Sequence, residues 1–450
     1  MLNFQCRTRV LFPLATCLLL FASCSVQKKI AKSANKDVLD MAAIQTAHVG
    51  ISIYEPATNK YWYDYQGDKY FVPASNTKIP TCYAAMKYLR DSLAGLKYVV
   101  LGKNNNKDIW VQATGDPTLL HPDFSKHPVI NFLKKDTAVS FVLATNNQWK
   151  DDAYGSGWSW NDYDESYMAE RSLFPVYGNV IRFYGDKDVL NIIPKNVELG
   201  FSGTGNNPIA FSLKNKKYNF TRAKDKNLFL WDDAKDDLKY EEIPFITSEN
   251  KTIEFLKDTI KGLKLALSSN ISLSNPKVIY SQPTDSLLKP MMHRSDNFFA
   301  EQSLLMVSNE KLGVMNNAKI IDTILKSDFK DLPQKPRWVD GSGLSRYNLF
   351  TPQDFVAILS KMKNEFGMER IKTILPTGGK GTLTNYYIAD TNYIYAKTGT
   401  LSGVVAISGF LYTKKGKELI FSILVNNHHA SATNVRRAVE KFLQGVRDKY

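Results

Sequence analysis

The stretch Phe71-Val72-Pro73-Ala74-Ser75-Asn76-Thr77-Lys78 decides how the chain is interpreted. It is followed by an apolar run, residues 79–89, which predicts a buried helix that begins near Ser75. Positions three apart on a helix share a face, so the Lys78 amine can reach the Ser75 hydroxyl. A lysine is a useful base only when neutral, and burial or a neighbouring cation lowers its pKa toward that state. The tetrad therefore predicts Ser75 as a nucleophile and Lys78 as its base.

The spacing of this tetrad carries little information by itself in a lysine-rich chain. Serine and lysine recur at the same spacing at eight other places, which start at Ser25, Ser33, Ser248, Ser274, Ser286, Ser308, Ser327 and Ser360. What gives the tetrad weight is its apolar context and two further motifs that follow it in the chain.

The second motif, Ser295-Asp296-Asn297, precedes another apolar run, residues 298–305. This arrangement predicts a helix start that projects polar side chains into a cleft. The amide of Asn297 can accept a hydrogen bond from a lysine and donate one to a substrate carbonyl, which a carboxylate cannot do. Ser295 can relay a proton to the leaving amine. The alternative for this motif is an ordinary helix cap.

The third motif, Lys397-Thr398-Gly399, follows the strand-like sequence of residues 393–396. The ammonium group of Lys397 and the hydroxyl of Thr398 can bind a substrate carboxylate. Lys397 is also the candidate cation that lowers the pKa of Lys78.

Backbone donors complete the predicted site. Gly399 has no side chain and admits close approach of another backbone. The backbone N–H groups of Ser75 and Thr400 are expected to form an oxyanion hole, where each donor is worth about 3 kcal/mol in acyl transfer.

These motifs together resemble those of the penicillin-recognising serine DD-peptidases, specifically the low-molecular-mass class C penicillin-binding proteins with D-alanyl-D-alanine carboxypeptidase and endopeptidase activity. The resemblance covers most of the chain and includes residues 115–119, 157–162, 340–346, 375–376 and 381–383. It implies an α/β fold: a penicilloyl serine transferase domain, like those of β-lactamases and DD-peptidases, with a five-stranded antiparallel sheet flanked by helices.

The same resemblance implies what the protein acts on. Peptidoglycan peptide stems would be the substrates, β-lactams would acylate Ser75, and no cofactor would be needed. Asp162 would face the free amine of a diaminopimelate side chain, and Arg346 would lie near the substrate carboxylates.

Both ends of the chain are predicted to share one sheet. Strand patterns occur at residues 49–53 and 61–63, and again in a hairpin formed by residues 404–412 and 419–425. A final helix presents one apolar face, made of Val435, Ala438, Val439, Phe442, Leu443 and Val446.

The interval between the first and second motifs predicts an insertion. It is about 200 residues long, more than one connection within a compact domain requires. Strand-like pieces at residues 98–101, 109–113 and 180–184 indicate that the insertion is β-rich. We predict a signal peptide at 1–23, a polar tether at 24–45, a catalytic domain formed by 46–94 and 268–450, and one or more inserted domains at 95–267.

The N-terminal residues predict export. Arg7 and Arg9 precede an apolar run, residues 11–22, that is too short to span a bilayer and is typical of a secretory signal. The run ends in a sequence that resembles a bacterial lipobox with Cys24 as the lipidated residue, although Phe21 replaces the usual leucine. We expect a periplasmic, membrane-anchored lipoprotein, with plain export as the alternative.

Charge and cysteine content narrow the possible partners. The formal charge of +14 falls to +12 after cleavage before Cys24, so the exported protein remains basic. Outside the cytoplasm it meets anionic membrane surfaces and cell-wall carboxylates, and nucleic acid is not expected as a partner. Cleavage and lipidation would leave Cys82 as the last free thiol of the four cysteines, so no disulfide framework is predicted, and the histidines show no metal-ligand spacing.

Two other functions fit parts of this sequence. A β-lactamase needs rapid deacylation, but no carboxylate positioned for it is identifiable and the large insertion argues against so minimal an enzyme. A wall-binding scaffold or antibiotic sensor that has lost turnover is the second alternative, against which the three intact motifs speak. The sequence leaves open the preference for carboxypeptidase or endopeptidase action, the preferred stem peptide and the oligomeric state.

Overall fold

The computed structural model describes residues 26–103, 106–135, 139–186, 189–201, 218–233 and 240–450; the predicted signal peptide and Cys24 lie outside these ranges. The helices are α1 (26–34), α2 (Lys78–Tyr88), α3 (Pro128–Lys134), α4 (Glu249–Thr259), α5 (Thr284–His293), α6 (Asn297–Leu312), α7 (Asn317–Lys326), α8 (Pro352–Phe366), α9 (Met368–Ile374) and α10 (Ala432–Lys449). The strands are β1 (His48–Glu55), β2 (Lys60–Tyr65), β3 (Ser92–Lys103), β4 (Asn106–Ala113), β5 (Ser140–Thr145), β6 (Val180–Asp186), β7 (Val189–Ile193), β8 (Glu198–Phe201), β9 (Tyr218–Arg222), β10 (Leu228–Asp233), β11 (Glu241–Pro244), β12 (Lys264–Ser269), β13 (Lys277–Pro283), β14 (Ile394–Leu401), β15 (Val404–Tyr412) and β16 (Glu418–Asn426).

The first and last strands of the chain form one five-stranded sheet in the order β14-β15-β16-β1-β2. All four pairings are antiparallel, and β1 pairs with β16 from His48 opposite Asn426 to Tyr54 opposite Ile420. The predictions that both chain ends share a sheet, and that this sheet is five-stranded and antiparallel, are confirmed. The central strands are buried along nearly their whole length because helices cover both faces of the sheet.

The two faces of this sheet pack against different groups of helices. Val49, Ile51 and Ile53 alternate along β1 and share a core with α10, whose predicted apolar face is buried throughout. On the other face Ala406 of β15 and Leu424 of β16 belong to the core that also includes buried residues of α2, α5, α6 and α8. The fold class is therefore the predicted three-layer arrangement of helices around an antiparallel sheet.

The start of the described chain differs from the predicted tether. Residues 26–34 are helical and continue into a π-helical turn, Asn35–Leu39. Ile30, Ala34 and Val38 are buried in the same core as α10. Their spacing of four residues places them on one helical face. The prediction of a tether was wrong here because the surrounding lysines and polar residues concealed a narrow apolar stripe.

The described part of the segment between β2 and α5 contains three further sheets. One has five strands in the order β12-β5-β4-β3-β13, and two have three strands each, in the orders β11-β6-β7 and β8-β10-β9. Buried residues of these sheets and of α3 and α4 form a second hydrophobic core, which also includes Leu305 of α6 and Met315. The strand-like pieces predicted at 98–101, 109–113 and 180–184 fall within β3, β4 and β6 and are confirmed.

No helix within the described ranges is long and apolar enough to cross a membrane.

Candidate active site

The predicted nucleophile lies at the start of α2. Ser75 belongs to a short 3-10 turn, Ala74–Thr77, that runs directly into the helix at Lys78. Pro80 lies in the first turn of this helix, where its missing N–H is tolerated. Lys78 is fully buried, and its Nζ donates to Ser75 Oγ at 3.1 Å, to Asn297 Oδ1 at 2.7 Å and to the Ser342 carbonyl at 2.7 Å. The lysine therefore points at the serine and has no contact with bulk solvent.

The surroundings of Lys78 bring its protonation equilibrium close to physiological pH. Burial lowers the pKa of Lys78 to about 8, although the carboxylates of Asp340, Asp296 and Glu301 act in the opposite direction. A lysine with such a pKa carries a usable fraction of free amine at pH 7 to 8 and can accept a proton from a hydroxyl.

The second motif surrounds the N-terminus of α6. Asp296 caps this helix by accepting from the backbone N–H of Phe299 at 2.8 Å, so neighbouring Asn297 and Ser295 are free to face the site. Asn297 accepts from Lys78 and donates through Nδ2 to the Tyr167 carbonyl at 3.1 Å. Ser295 has a left-handed backbone with φ of +64°, which is uncommon for a residue with a side chain and is a strain typical of functional sites.

The third motif lies on β14, the edge strand beside the nucleophile turn. Lys397 is fully buried, and its Nζ donates to Ser295 Oγ at 2.9 Å and to the Thr398 carbonyl at 2.6 Å. Burial, and secondly the positive charge of Lys78, lower the pKa of Lys397 well below its usual value. The two lysines thus share one polar cluster, and the charge of Lys78 disfavours protonation of Lys397.

Gly399 allows β14 to approach the nucleophile turn. A Cβ at this position would lie 2.7 Å from the Pro73 carbonyl oxygen and 2.9 Å from the Ser75 backbone nitrogen. The Asn76 side chain also bridges the turn to the sheet, with its amide 2.9 Å from the Lys397 carbonyl and 2.7 Å from Ser408 Oγ. These contacts fix the distance between the serine and the strand.

The loop of residues 340–345 closes the site behind Lys78. Buried Asp340 accepts from the backbone N–H groups of Gly343 at 2.9 Å and Ser345 at 2.7 Å, and from Trp158 Nε1 at 2.9 Å. Asn348 Nδ2 also donates to it at 2.7 Å. One carboxylate therefore contacts both this loop and Trp158, in the segment 157–162 that carries Asp162, and holds the two in a common position.

Gly343 is the position where a side chain would most directly disturb the nucleophile. Its φ is +82° and a Cβ there would lie 1.9 Å from the Ala74 carbonyl oxygen, whereas Gly313 at the end of α6 has φ of +70° and no atom within 4 Å. We expect Gly313→Ala to lower the free energy of unfolding by about 1 kcal/mol through backbone strain alone. Gly343→Ala is expected to lower it by about 4 kcal/mol, because the nucleophile turn must move as well. Chemical denaturation of both variants measures the difference; equal losses would contradict the proposed close contact.

A cleft of about 720 Å³ opens in front of these residues. Its walls bring together parts of the predicted motifs with Asp162 and Arg346, and they consist of Ser75, Gly157, Ser159, Asp162, Tyr167, Ser295, Asn297, Gly343, Leu344, Arg346, Thr400, Leu401 and Ser402. Arg346 is exposed and donates to the Ser402 carbonyl at 3.0 Å, while Asp162 accepts from the Tyr167 hydroxyl at 2.9 Å.

Thr398 is not among the residues that line this cleft. It borders a small cavity between β14 and α10 that it shares with Arg436. Neighbouring side chains on a strand point to opposite faces, so Lys397 and Thr398 cannot both face Ser295. The alternation was readable from the sequence and separates the two members of this motif.

Several polar residues of the site were not singled out from the sequence. Arg436 of α10 donates to the hydroxyl of Thr400, and Tyr167 and Glu301 contact the second motif or the loop behind Lys78. Arg436 lies on the polar face of the amphipathic helix α10, where a basic residue is common and gives no sign of a functional role. Glu301 lies four residues after Asn297, so helical periodicity was a signal that could have placed both on one face.

The fold and the contacts of the three motifs define the class of protein. A helix-flanked antiparallel sheet with a Ser-Lys pair beside a buried lysine of the edge strand is the arrangement of a serine penicilloyl transferase. The chain belongs to the D-Ala-D-Ala carboxypeptidase 3 (S13) family, whose model matches residues 30–184 and 273–446. It is therefore a serine-type hydrolase that acts on D-alanyl-D-alanine, which favours this function over a β-lactamase or a silent scaffold.

Similar proteins include a D-alanyl-D-alanine carboxypeptidase DacB of Haemophilus influenzae, which is 23% identical over 95% of this chain and 95% of its own. The crystal structure of penicillin binding protein 4 (dacB) from Haemophilus influenzae shares the fold, with a TM-score of 0.72 and 17% identity over 93% of this chain and 99% of that chain. A structure of the same protein complexed with a β-lactam matches with a TM-score of 0.67, 16% identity and the same coverage.

Proposed function

We propose that Ser75 attacks the carbonyl carbon of the D-Ala-D-Ala peptide bond while Lys78 accepts the proton of its hydroxyl. The observation that supports these roles is the buried 3.1 Å contact between Lys78 Nζ and Ser75 Oγ. Attack forms a bond from Ser75 Oγ to the carbonyl carbon, and collapse of the intermediate breaks the bond from that carbon to nitrogen. D-alanine leaves, or the amine of a second stem in a cross-linked substrate, and water then releases the acyl group from Ser75.

Groups around the Ser-Lys pair deliver the proton to the leaving amine and stabilise the charge that develops during attack. The Ser295 hydroxyl accepts from Lys397, so its own proton is available to the departing amine. The backbone N–H groups of Ser75 and Thr400 form the oxyanion hole, where charge develops on the carbonyl oxygen during attack. Arg346 and Thr400 on the cleft wall, with Lys397 behind Ser295, form the region that receives the substrate carboxylate, and Arg436 lies next to Thr400. Thr398 faces the other side of β14 and is not part of this region, contrary to its predicted role.

The first experiment is measurement of the intact protein mass after incubation with benzylpenicillin. A β-lactam opens on the nucleophile but leaves no departing group, so we expect one adduct per chain that persists for far longer than a catalytic cycle. Rapid loss of the adduct with release of opened antibiotic would favour a β-lactamase, and no adduct on folded protein would contradict the assignment of the nucleophile.

The substrates are peptidoglycan peptide stems, and β-lactams are acylating inhibitors. Asp162 lines the same cleft as Ser75, and its carboxylate has one described partner, the Tyr167 hydroxyl. An acidic side chain at this place fits the free amine of a diaminopimelate side chain. Arg346, on the same cleft, fits a carboxylate of the stem.

Replacement of Asp162 with Asn tests this assignment. Asn can still accept from Tyr167 but has no charge for a substrate amine, so we expect KM for an amine-bearing stem peptide to rise by roughly fivefold to tenfold. The rate of acylation by benzylpenicillin, which has no such amine, is expected to stay the same. Asp164→Asn, two residues away in the same loop, serves as the matched control. Equal effects of Asp162→Asn on peptide and antibiotic would contradict a role in amine recognition.

We propose that the catalytic unit consists of both chain ends and that the inserted unit extends from β3 to β13, residues 92–283, rather than over the predicted 95–267. Pairing of β13 with β3 supports this boundary, because it places residues 277–283 in the inserted sheet. The insertion thus begins directly after α2 and ends directly before α5.

Export and lipidation at Cys24 follow from the N-terminal sequence and fit a substrate found in the cell wall. We expect a palmitate label to enter the full-length protein during expression in a bacterium that processes lipoproteins. Cys24→Ser should abolish the label and release the protein from the membrane fraction, while Cys82→Ser should do neither, because Cys82 is buried. A membrane fraction that keeps the Cys24→Ser protein would contradict anchoring at this residue.

A further inference from the structure

Glu301 is a buried carboxylate directly behind the Ser-Lys pair, and it touches neither member of that pair by hydrogen bond. It lies on α6 one turn after Asn297 and is 1% exposed. Its Oε1 accepts from the backbone N–H of Ser342 at 2.7 Å. The carbonyl of the same residue, Ser342, accepts from Lys78 Nζ at 2.7 Å.

We propose that Glu301 is a positioning residue for the base: it holds the backbone of Ser342 so that its carbonyl directs the Lys78 amine toward Ser75. This inference rests on the proposed role of Lys78. In this arrangement α6 contacts the base twice, directly through Asn297 and indirectly through Glu301 and Ser342.

The backbone of Ser342 is tightly enclosed, so the hydrogen bond from Glu301 can transmit position. A Cβ at Gly341 would lie 2.7 Å from the Ala300 carbonyl oxygen of α6, and Gly343 packs against the Ala74 carbonyl of the nucleophile turn. The loop is therefore wedged between the helix that carries Asn297 and the turn that carries Ser75. Without the hydrogen bond from its N–H to Glu301, the backbone of Ser342, between Gly341 and Gly343, can shift.

The charges around Glu301 connect it to the inserted segment. Arg171 is 4% exposed and contacts Glu301 Oε2 at 3.6 Å and Asp151 at 3.0 Å. Burial, and secondly the neighbouring carboxylate of Asp340, raise the pKa of Glu301 to about 7, while Arg171 lowers it. Asn317 Nδ2 donates to Oε2 at 3.1 Å.

The charged groups that face Lys78 come from three elements. Asp340 lies on the loop, Asp296 and Glu301 lie at α6, and Lys397 lies on β14. Removal of the Glu301 charge leaves two carboxylates and one cation around the amine. The pKa of Lys78 then falls, because fewer negative charges stabilise its ammonium form.

Two substitutions separate position from charge. Glu301→Gln keeps an acceptor for the Ser342 N–H but has no charge; Glu301→Ala has neither. We expect Glu301→Gln to keep the rate constant of acylation by benzylpenicillin within about tenfold of wild type, with the midpoint of its rise with pH shifted down by roughly one unit. Glu301→Ala is expected to lower the rate constant about 100-fold, because small misplacement of a catalytic group has effects of that size.

Glu310 offers a matched control on the same helix. It is exposed and pairs with Lys97, so Glu310→Gln and Glu310→Ala should change neither the rate constant nor its pH midpoint. A merely structural role for Glu301 would lower the rate in both Glu301 variants equally and leave the midpoint unchanged. That outcome overturns the inference, as does wild-type behaviour of both variants.

If Glu301→Ala does not fold, Glu301→Gln still tests the inference. A rate constant within about tenfold of wild type with a lowered midpoint supports it, and a larger loss overturns it, because Gln keeps the acceptor for the Ser342 N–H. Failure of the underlying proposed function has a different signature. In that case acylation of the wild-type protein would not depend on Ser75, or its rate would not follow the titration of a lysine at all.

Discussion

Replacing Ser75 with Ala is expected to abolish the benzylpenicillin adduct and to lower the release of D-alanine by about 10⁴-fold or more. A methyl group cannot form the acyl bond, and within the described residues no other side-chain hydroxyl accepts a hydrogen bond from Lys78. The variant should remain folded because Lys78 keeps its contacts with Asn297 Oδ1 and the Ser342 carbonyl. Intact mass with the antibiotic and release of D-alanine from a stem pentapeptide measure the two effects.

Ser274 provides a control with almost the same local sequence. Ser274-Asn275-Pro276-Lys277 repeats the serine, asparagine and lysine of the nucleophile tetrad, but Ser274 is exposed in the loop before β13. Ser274→Ala should leave the adduct and the D-alanine release unchanged. A Ser75→Ala protein that still gains the mass of one antibiotic would place the nucleophile on another residue.

Replacing Lys78 with Met is expected to lower the rate constant of acylation about 10³-fold. Met fills a similar volume but cannot accept the proton of Ser75. In the wild-type protein the rate should rise with pH as the Lys78 ammonium loses its proton and should level off above the pKa of about 8. In Lys78→Met this rise should disappear, which distinguishes loss of the base from a general loss of activity.

The same substitution has a predicted effect on stability. The pKa of Lys78 in the folded protein, about 8, is lower than the ordinary value of 10.5, so the folded state binds fewer protons than the unfolded state between these two pH values. The free energy of unfolding of the wild type therefore rises with pH through this window relative to that of Lys78→Met. Urea unfolding at pH 8 and pH 10 measures this difference directly.

Lys319→Met, on α7, is the control for this pair of measurements, because Lys319 is exposed. It should change neither the acylation rate nor the dependence of stability on pH. If Lys78→Met acylates at the wild-type rate, another group must accept the proton.

Local patterns in the sequence predicted the elements that carry the site. Helical spacing places Ser75 and Lys78 on one face, and alternation predicted the strands around Lys397, because both features depend on neighbours within a few residues. That the three motifs lie close together was inferred from chemistry, because two lysines and an asparagine can act on the same substrate only if their side chains share one site. The structure places Lys78 in hydrogen-bond contact with both Ser75 and Asn297, and Lys397 in contact with Ser295.

The supporting residues could not be predicted in the same way. Arg171, Glu301 and Ser342 are far apart in the chain, and their contact depends on how the inserted segment packs on α6. A buried acid such as Glu301, within a run of apolar residues, has the same local pattern whether it serves a site or only neutralises an arginine. The helix at residues 26–39 was missed for a related reason, since the partner that buries its three apolar residues, α10, lies at the opposite end of the sequence.

The pairing of β1 with β16 sets the order in which this chain can fold. During synthesis β1 emerges early, but its central-sheet partner appears only after Glu418–Asn426 has been made. Until then Val49, Ile51 and Ile53 have no partner strand on that side and need protection from association with other chains. The described strands of the inserted unit all lie within residues 92–283, so that unit can form its sheets before β16 is available to pair with β1. A nascent chain stopped after β13 is therefore expected to hold a folded insertion without any capacity to bind penicillin.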